Sequence, residues 1–535
     1  MEKVIKLKKF KSMFSTTLQI VVLIFITLVL FASIRGTAGI PTAEELNSPV
    51  WKEQGPFELS PERGRYALTY SIIEDKSFDF SIPVARFTTP DLGFTDGKFV
   101  SLFAPGVSFL VIPGYIVGHY LGMSQVGTYS AIAVYAILNF ILIRQISKLL
   151  GASNPASVIA GMTFIFATPA FAYGVSLYQH HISTFLILLA TYLLVRFERK
   201  WLAIVGIWFL CGLGIAVDNP NLLMMMPIGI VALLQSLDIE EKKEEMSIRI
   251  YPKYIIAIIG VLIPALGFMY FNYVSYGNPL QLGGTTNSVD AINEEGKPVT
   301  SEGILTPEEL AQAGEFEEGE RSSVGFFEAR DMVNGLYIHL FSEDRGVIYF
   351  TPVILTGIIG IFVLYRSKNK HLPLLLSIVG VNLILYSMWG DPWGGWAFGS
   401  RYLIPSYAIM SIFIAMALTR YSRNILVLLV FAVLFVYSTA INTLGAITTS
   451  AIPPKVQAIP LEALTGKEEK FNYKRSWDFL NNNGSKSYFY QEFLEDSVPA
   501  KDFYITLVSA ISTVSIMTLI GVYLTKRKTK DENKD

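Results

Sequence analysis

Apolar positions along the chain are bunched rather than spaced. They form long runs near 18–34, 126–149, 155–175, 180–195, 201–217, 220–236, 253–275, 346–365, 371–389, 402–419, 424–446 and 503–525. Such runs match or approach the roughly 20 apolar residues that a helix needs to cross a bilayer core of ~30 Å. Inside that core every backbone N–H and C=O needs a partner within the protein, and a helix supplies one to each. The pattern therefore predicts an all-α polytopic membrane protein with about twelve transmembrane helices. Composition adds to this: 52% of the 535 residues are hydrophobic, 16% are charged, and the mean hydropathy is +0.44.

The placement of basic residues sets the expected orientation. Lys3, Lys6, Lys8, Lys9 and Lys11 precede the first run. Further basic groups occupy 196–200, 237–253 and 366–371, then Arg420, Arg423 and the tail after 525. Cytoplasmic segments are rich in Lys and Arg, so both termini are expected inside, in a plasma membrane protein. Three long loops, 36–104, 277–345 and 447–502, then face outside. Ala38 and Gly39 follow the first run as they would a signal peptide, but its length and the many later runs favour a first membrane helix.

Arg144 and Lys148 fall inside only if 105–122 does not cross. That segment is short, is interrupted by Pro113, Gly114 and Gly118, and carries His119. A re-entrant or interfacial element is predicted there; a thirteenth span would follow if the two charges lay outside. The chain is read as a module over 1–450, with outer loops 36–104 and 277–345, followed by 451–535, which holds the third loop, the last helix and the tail. Thr306-Pro307-Glu308-Glu309 predicts a short capped helix in the second loop.

Several function classes drop out. A net charge of −1 without a basic stripe offers nucleic acid no surface. Cys211 is the only cysteine, which excludes an intramolecular disulfide or a cysteine zinc site. Transporters and pumps keep ionisable groups within their spans, and these spans hold almost none. Charges collect at outer helix ends and in the first loop. Glu62-Arg63-Gly64-Arg65-Tyr66-Ala67-Leu68 opens a predicted amphipathic helix with Tyr66, Ala67 and Ile73 on one face, and Asp91, Asp96 and Lys98 follow. A carboxylate at the membrane surface can accept a hydroxyl proton, and Arg or Lys can hold phosphate. Arg63 and Arg65 are expected to keep Glu62 ionised. Arg345 and Arg401 stand at outer span ends, against the positive-inside preference. Trp389, Trp393 and Trp396 sit at a membrane boundary, where tryptophan belongs. Asp391 precedes Pro392 in an expected turn, and Asn483-Gly484-Ser485 matches a glycosylation sequon.

Glu62 to Leu68 (ERGRYAL) resembles the DExRYA-type motif of the GT-C glycosyltransferases, membrane enzymes that use polyprenyl-phosphate sugars. Their aminoarabinose and protein O-mannosyl transferase branches begin with one span and an outer loop carrying the acidic residue. The leading acid is the family's proposed catalytic base, a role the resemblance implies for Glu62, with Asp91, Asp96, His180 and His181 as further catalytic candidates. Arg63 replaces the usual second acid, which counts against carrying over metal binding; a divalent metal is compatible with the motifs and not required by them. Asp96 to Gly106 (DGKFVSLFAPG) resembles the family's re-entering segment. Phe103 or Ala104 stands where the family has its phosphate-contacting lysine, leaving Lys98 or an arginine to substitute.

Tyr178-Gln179-His180-His181 opens a span where relatives place a second acidic or histidine residue. Phe341 to Gly346 (FSEDRG), with Tyr349 and Pro352, resembles an SPxRGL…YSP pattern. Trp389, Trp393 and Gly394 to Leu403 (GGWAFGSRYL) resemble a W-GG-x-x-GxRYL segment. The overlap covers 40–200 and these two patches. It implies transfer of a sugar, with inversion, from a polyprenyl-phosphate donor to a glycan, lipid or protein acceptor on the outer face. The donor would be held by Arg65, Tyr66, Lys98, Arg345, Trp396 and Arg401. The alternatives are a lipid or solute transporter or flippase, and a non-catalytic envelope-assembly protein.

Overall fold

The computed structural model describes residues 19–52, 55, 57–242, 245–299 and 327–524. Five helices are long and apolar enough to cross a bilayer: Ser124–Leu149, Pro252–Tyr276, Arg401–Arg420, Ile425–Ile447 and Ala500–Leu524. Seven shorter apolar helices accompany them: Gln19–Ser33, Asn154–Phe166, His180–Arg196, Trp201–Val217, Asn221–Leu234, Pro352–Arg366 and Leu372–Ser387. Each apolar run in the sequence thus coincides with one of these twelve helices. Pro155, Pro373 and Pro405 lie in first turns, where a missing N–H breaks no intrahelical bond. The chain is a multi-pass membrane protein of mostly helical fold.

The helix that ends at Arg420 is the axis of the bundle, for every residue from Ile404 to Leu418 is buried. Peripheral helices turn bulky apolar side chains outward, among them Ile263, Leu266, Leu426, Leu429 and Val433. In water such a surface would drive aggregation; in lipid it is the ordinary exterior. One hydrophobic cluster runs from Val22 to Val522 and takes in Ile452, Leu480, Tyr490 and Phe503. Residues after 450 therefore pack into the same core as the rest.

The bundle has two distinct ends. Arg144 donates to Gln19, Ser153 N to Thr419, and Lys370 to Glu198, while Arg199 N reaches Gln235 and Trp201 reaches Lys253 O. These contacts gather the basic connections of the sequence at one end. Arg35, Glu58, Glu62, Gln179, Asp218, Arg345 and Arg401 lie among the loops of the other.

Residues 105–122 form two short helices, Gly106–Leu110 and Ile112–Tyr120, without a straight crossing. A Cβ on Gly106 would meet Ala216 O at 2.5 Å, and Gly39 N bonds Gly122 O at 2.7 Å. Both ends of the segment therefore touch the end of the bundle that carries the long loops. Ile116, Val117, Tyr120 and Leu121 point outward.

One expectation needs correction. Strands accompany the helices: Leu92–Thr95 pairs antiparallel with Lys98–Ser101 on one side and Asn287–Val289 on the other. This small sheet stitches the first long loop to the second, and a two-stranded hairpin, Leu237–Lys242 with Glu245–Ile250, lies at the basic end. The predicted helix at 306–309 lies outside the described residues.

Candidate active site among the long loops

Helix Ser60–Tyr70 carries the densest polar motif of the sequence and is the structural centre of the loop end. Pro61 occupies its first turn, and Ser60 Oγ donates to Asp91 Oδ2 at 2.5 Å. The sequence predicted an amphipathic surface helix. Instead every residue from Glu62 to Tyr70 is buried, because the other loops and the 105–122 segment close over it. Gly64 allows this, since a Cβ there would meet the Phe103 ring at 2.7 Å. A polar helix buried on all sides must find partners for its charges or suffer the cost of desolvation.

Glu62 is poorly supplied. Tyr129 Oη donates to Oε1 at 3.4 Å, and Oε2 is buried without a partner among the described residues. Burial is the main cause that pushes its carboxyl up to about 7; Glu58 adds to the rise, and Arg35 and Lys486 oppose it. Arg63 and Arg65, expected to hold Glu62 ionised, turn elsewhere. Arg63 donates to Thr89 O at 2.8 Å and Phe57 O at 3.5 Å. Arg65 donates to Pro61 O at 2.8 Å and Gln179 Oε1 at 2.7 Å.

On its other side Arg65 faces a compact polar group. Its guanidinium stands over the rings of Phe103 and Tyr178, at 4.6 and 5.7 Å from their centroids. Arg401 approaches the same Tyr178 at 5.1 Å and Tyr402 at 5.4 Å. His180 stacks on Tyr178, with centroids 5.9 Å apart and planes 9° from parallel, and Tyr402 stacks on Tyr386 at 4.3 Å. Gln179 links Arg65 to Asp218, donating to Oδ2 at 3.2 Å. Burial raises the Asp218 carboxyl, and Arg65 and Gln179 partly offset the rise.

Neither Arg65 nor Arg401 makes an ion pair among the described residues. Arg65 Nε, Arg401 Nε, Tyr178 Oη and His180 Nε2 are all buried without hydrogen-bond partners among the described residues. Buried polar atoms are nearly always paired, so several orphans in one neighbourhood mark a place for a polar ligand. Gly394 and Gly395, both at positive φ (73° and 62°), turn the chain tightly beside Arg401, and a Cβ on Gly394 would meet Arg401 Nε at 3.0 Å.

The other candidates are placed differently. Arg345 is fully buried, yet it donates to the carbonyls of Trp393 (2.9 Å), Asp344 (2.8 Å), Gly395 (3.0 Å) and Ile452 (2.9 Å). Four of its five N–H groups are thus spent on holding the Trp-Gly-Gly turn, and the geometry gives it no phosphate to bind. Arg345→Ala is expected to strand those carbonyls and destabilise the protein by roughly 3 kcal/mol or more. Thermal unfolding in detergent checks this, and an unchanged midpoint would refute the clamp.

His181 is also structural: Nε2 meets Ala170 O at 2.7 Å and Asn139 Nδ2 meets Nδ1 at 3.3 Å. Tyr66 bonds Ser124 at 2.8 Å within a cluster of Phe57 and Tyr115. Asp96 and Gly97 form the two-residue tip of the hairpin at positive φ (49° and 75°), where Asp-Gly is favoured; Asp96 and Lys98 are exposed there. Trp396 is half-exposed and donates to Gln457 at 2.8 Å. Asp391 accepts from Gly395 N within its turn. No group of three or more His, Cys, Asp or Glu among the described residues is disposed to hold a metal ion.

The sequence reading missed Arg35, Glu58 and Lys486. Glu58 lies 3.1 Å from Arg35 Nη1 and 2.8 Å from Lys486 Nζ, and accepts from Ser450 N at 2.9 Å. Burial by itself would raise this carboxyl, but Lys486 and Arg35 together outweigh it and hold it at about 2. Arg35 and Glu58 are 23 positions apart, Lys486 lies hundreds of positions further on, and the three share no motif, so no local signal could have joined them.

Fold and site together define a helical membrane protein with a buried acid–arginine centre beneath its long loops. The chain matches no protein-family model and no curated protein in sequence. In structure it is similar to ArnT from Cupriavidus metallidurans in the apo state, with a TM-score of 0.46, 12% identity, and coverage of 95% of this chain and 76% of that one. The same protein bound to undecaprenyl phosphate gives 0.45, 12%, 94% and 76%. The archaeal oligosaccharyltransferase AglB from Archaeoglobus fulgidus, in complex with an inhibitory peptide and a dolichol-phosphate, gives 0.41, 13%, 97% and 57%. ArnT and AglB are GT-C glycosyltransferases.

Proposed function

We propose that the protein is a GT-C-type glycosyltransferase that moves a sugar from a polyprenyl-phosphate donor to an acceptor hydroxyl on the outer face of the membrane. One observation carries the reading. A fully buried carboxyl, raised by that burial and with Oε2 unpaired, shares the loop end with two arginines that make no ion pair and keep unbonded Nε donors among the described residues. Burial strengthens each of these electrostatic interactions relative to water.

In the proposed reaction Glu62 Oε2 takes the proton of the acceptor hydroxyl. The acceptor oxygen attacks the anomeric carbon as the bond to the phosphate oxygen breaks, and the configuration inverts. The departing phosphate gains charge, which Arg401 and Arg65 stabilise. Tyr178, His180, Tyr386 and Tyr402 form the aromatic wall against which the sugar would lie. The donor's prenyl chain would lie between helices, in contact with lipid. Lipid extracts provide the test: membranes from cells lacking the protein should accumulate a polyprenyl-phosphate sugar. The wild-type gene should clear it and a Glu62→Gln gene should not. No accumulation of any lipid-linked sugar would overturn the reading.

The same proposal includes twelve crossings, both termini in the cytoplasm, and 105–122 lying along the outer surface. In a Cys211→Ser background, single cysteines in 36–104, 277–345 and 447–502 are expected to react with an impermeant reagent added outside intact cells. Labelling of 277–345 from the cytoplasmic side only would reverse the orientation.

A further inference from the structure

We propose that a cavity between helices Pro352–Arg366 and Arg401–Arg420, at the basic end of the bundle, binds the phosphate headgroup of one anionic glycerophospholipid through Arg366 and Arg420. The site is independent of the reaction proposed among the long loops.

Two glycines shape the cavity. A Cβ on Gly357 would meet Met410 O at 2.8 Å, and one on Gly360 would run into Phe413 O. The two helices therefore approach backbone to backbone at these positions. Between Gly360 and Arg366 there is no further glycine, and larger side chains separate the pair toward its basic end. A cavity of about 500 Å³ opens there, lined by the apolar Ile359, Phe362 and Val363 and by Arg366, Arg420 and Tyr421.

The charge in the cavity is unopposed. Arg366 and Arg420 are exposed, and among the described residues their side chains make no ion pair or hydrogen bond. Lys370, in the connection after Arg366, spends its charge on Glu198. Between Arg345 and Leu461 the sequence holds one acidic residue, Asp391, and it sits in the turn at the opposite end of the bundle. Two guanidiniums lining one cavity repel each other unless an anion joins them, and their planar forks match phosphate oxygens.

The surroundings make that anion a lipid. Leu355, Ile358, Phe362 and Tyr365 recur at three- and four-residue spacing and share one helix face. All four are exposed, Phe362 and Tyr365 to 61% and 71%. The stripe runs about 15 Å along the helix, the depth of one leaflet of a ~30 Å core, and ends beside Arg366. An acyl chain laid along it brings its phosphate level with the arginines, and basic pockets between membrane helices recognise anionic headgroups in this way. A free phosphate ion would use none of the stripe. The polyprenyl phosphate of the proposed reaction is needed at Arg401, which the length of one helix holds roughly 30 Å from Arg420.

Native mass spectrometry tests the site. The full chain is released from micelles that contain equal amounts of phosphatidylglycerol and phosphatidylcholine, and the lipids it keeps are counted. Wild type should keep one phosphatidylglycerol in preference to phosphatidylcholine. Arg366→Gln combined with Arg420→Gln should lower that preference by roughly 10–30-fold, whereas the paired lysine substitutions should keep most of it. Arg423→Gln is the control: Arg423 lies at the same end, over the Tyr523 ring at 4.9 Å and outside the cavity, and its loss should change nothing. Equal retention of the two lipids by wild type, or an equal loss in Arg423→Gln, would overturn the proposal. Stronger retention of undecaprenyl phosphate that the double glutamine variant abolishes would overturn it as well.

Discussion

Glu62→Gln is expected to lower sugar transfer by roughly 10²–10⁴-fold while the protein stays folded and still binds a polyprenyl phosphate. The amide keeps the size of the side chain and its contact with Tyr129 Oη, but it cannot take a proton. A base must be ionised to act, so wild-type transfer should rise with pH and pass half-maximum near the carboxyl's value of about 7. Glu62→Asp should retain part of the activity, since the family's usual residue is the shorter acid.

The same carboxyl makes a stability prediction of opposite sense. Its folded value lies above the ordinary 4.5, so between about 4.5 and 7 the folded protein binds more protons than the unfolded chain. Stability from this group is therefore complete at low pH and is lost as pH rises through about 7. Glu62→Gln does not ionise, and should unfold at a higher temperature than wild type above pH 7 and show little gain below 4.5. Near-normal turnover by Glu62→Gln would end the proposal for this residue. Asp91, which accepts from Ser60 at the start of that helix, would then be the acid to test next, because Asp96 is exposed at a hairpin tip.

Arg401→Ala should have the second largest effect, a loss of roughly 10²–10³-fold in transfer together with weaker binding of polyprenyl phosphate. Arg401 presents its guanidinium to Tyr178 and Tyr402, and among the described residues it has no carboxylate partner and its buried Nε is unbonded. Arg401→Lys keeps the charge and loses the planar fork, so it should fall between wild type and alanine. Binding of polyprenyl phosphate, lacking the sugar, to purified protein separates charge recognition from chemistry. Undiminished binding by Arg401→Ala would remove it from the site and leave Arg65 as the phosphate ligand.

The two arginines at helix ends among the long loops show how far sequence reasoning reaches. Arg345 and Arg401 look alike in the sequence, for each stands against the charge bias of its loop beside a recognisable motif. In the structure one is a clamp on backbone carbonyls, and the other lies over the Tyr178 and Tyr402 rings with its Nε unbonded among the described residues. The pair His180 and His181 divides the same way: adjacent residues on a helix point about 100° apart. One ring joins the aromatic wall, and the other is fastened to Ala170 and Asn139.

Which segments are apolar helices, where basic connections gather, and which loop carries the acid were all legible in the sequence. Each depends on properties that add up locally: a run of side chains long enough for lipid, a charge bias per loop, a motif within seven residues. The burial of the Ser60–Tyr70 helix, the unpaired Oε2 of Glu62 and the Arg35–Glu58–Lys486 cluster were decided only by tertiary structure. They arise where segments hundreds of residues apart close over one another, because desolvation and charge pairing depend on what packs nearby and not on what is adjacent in the chain.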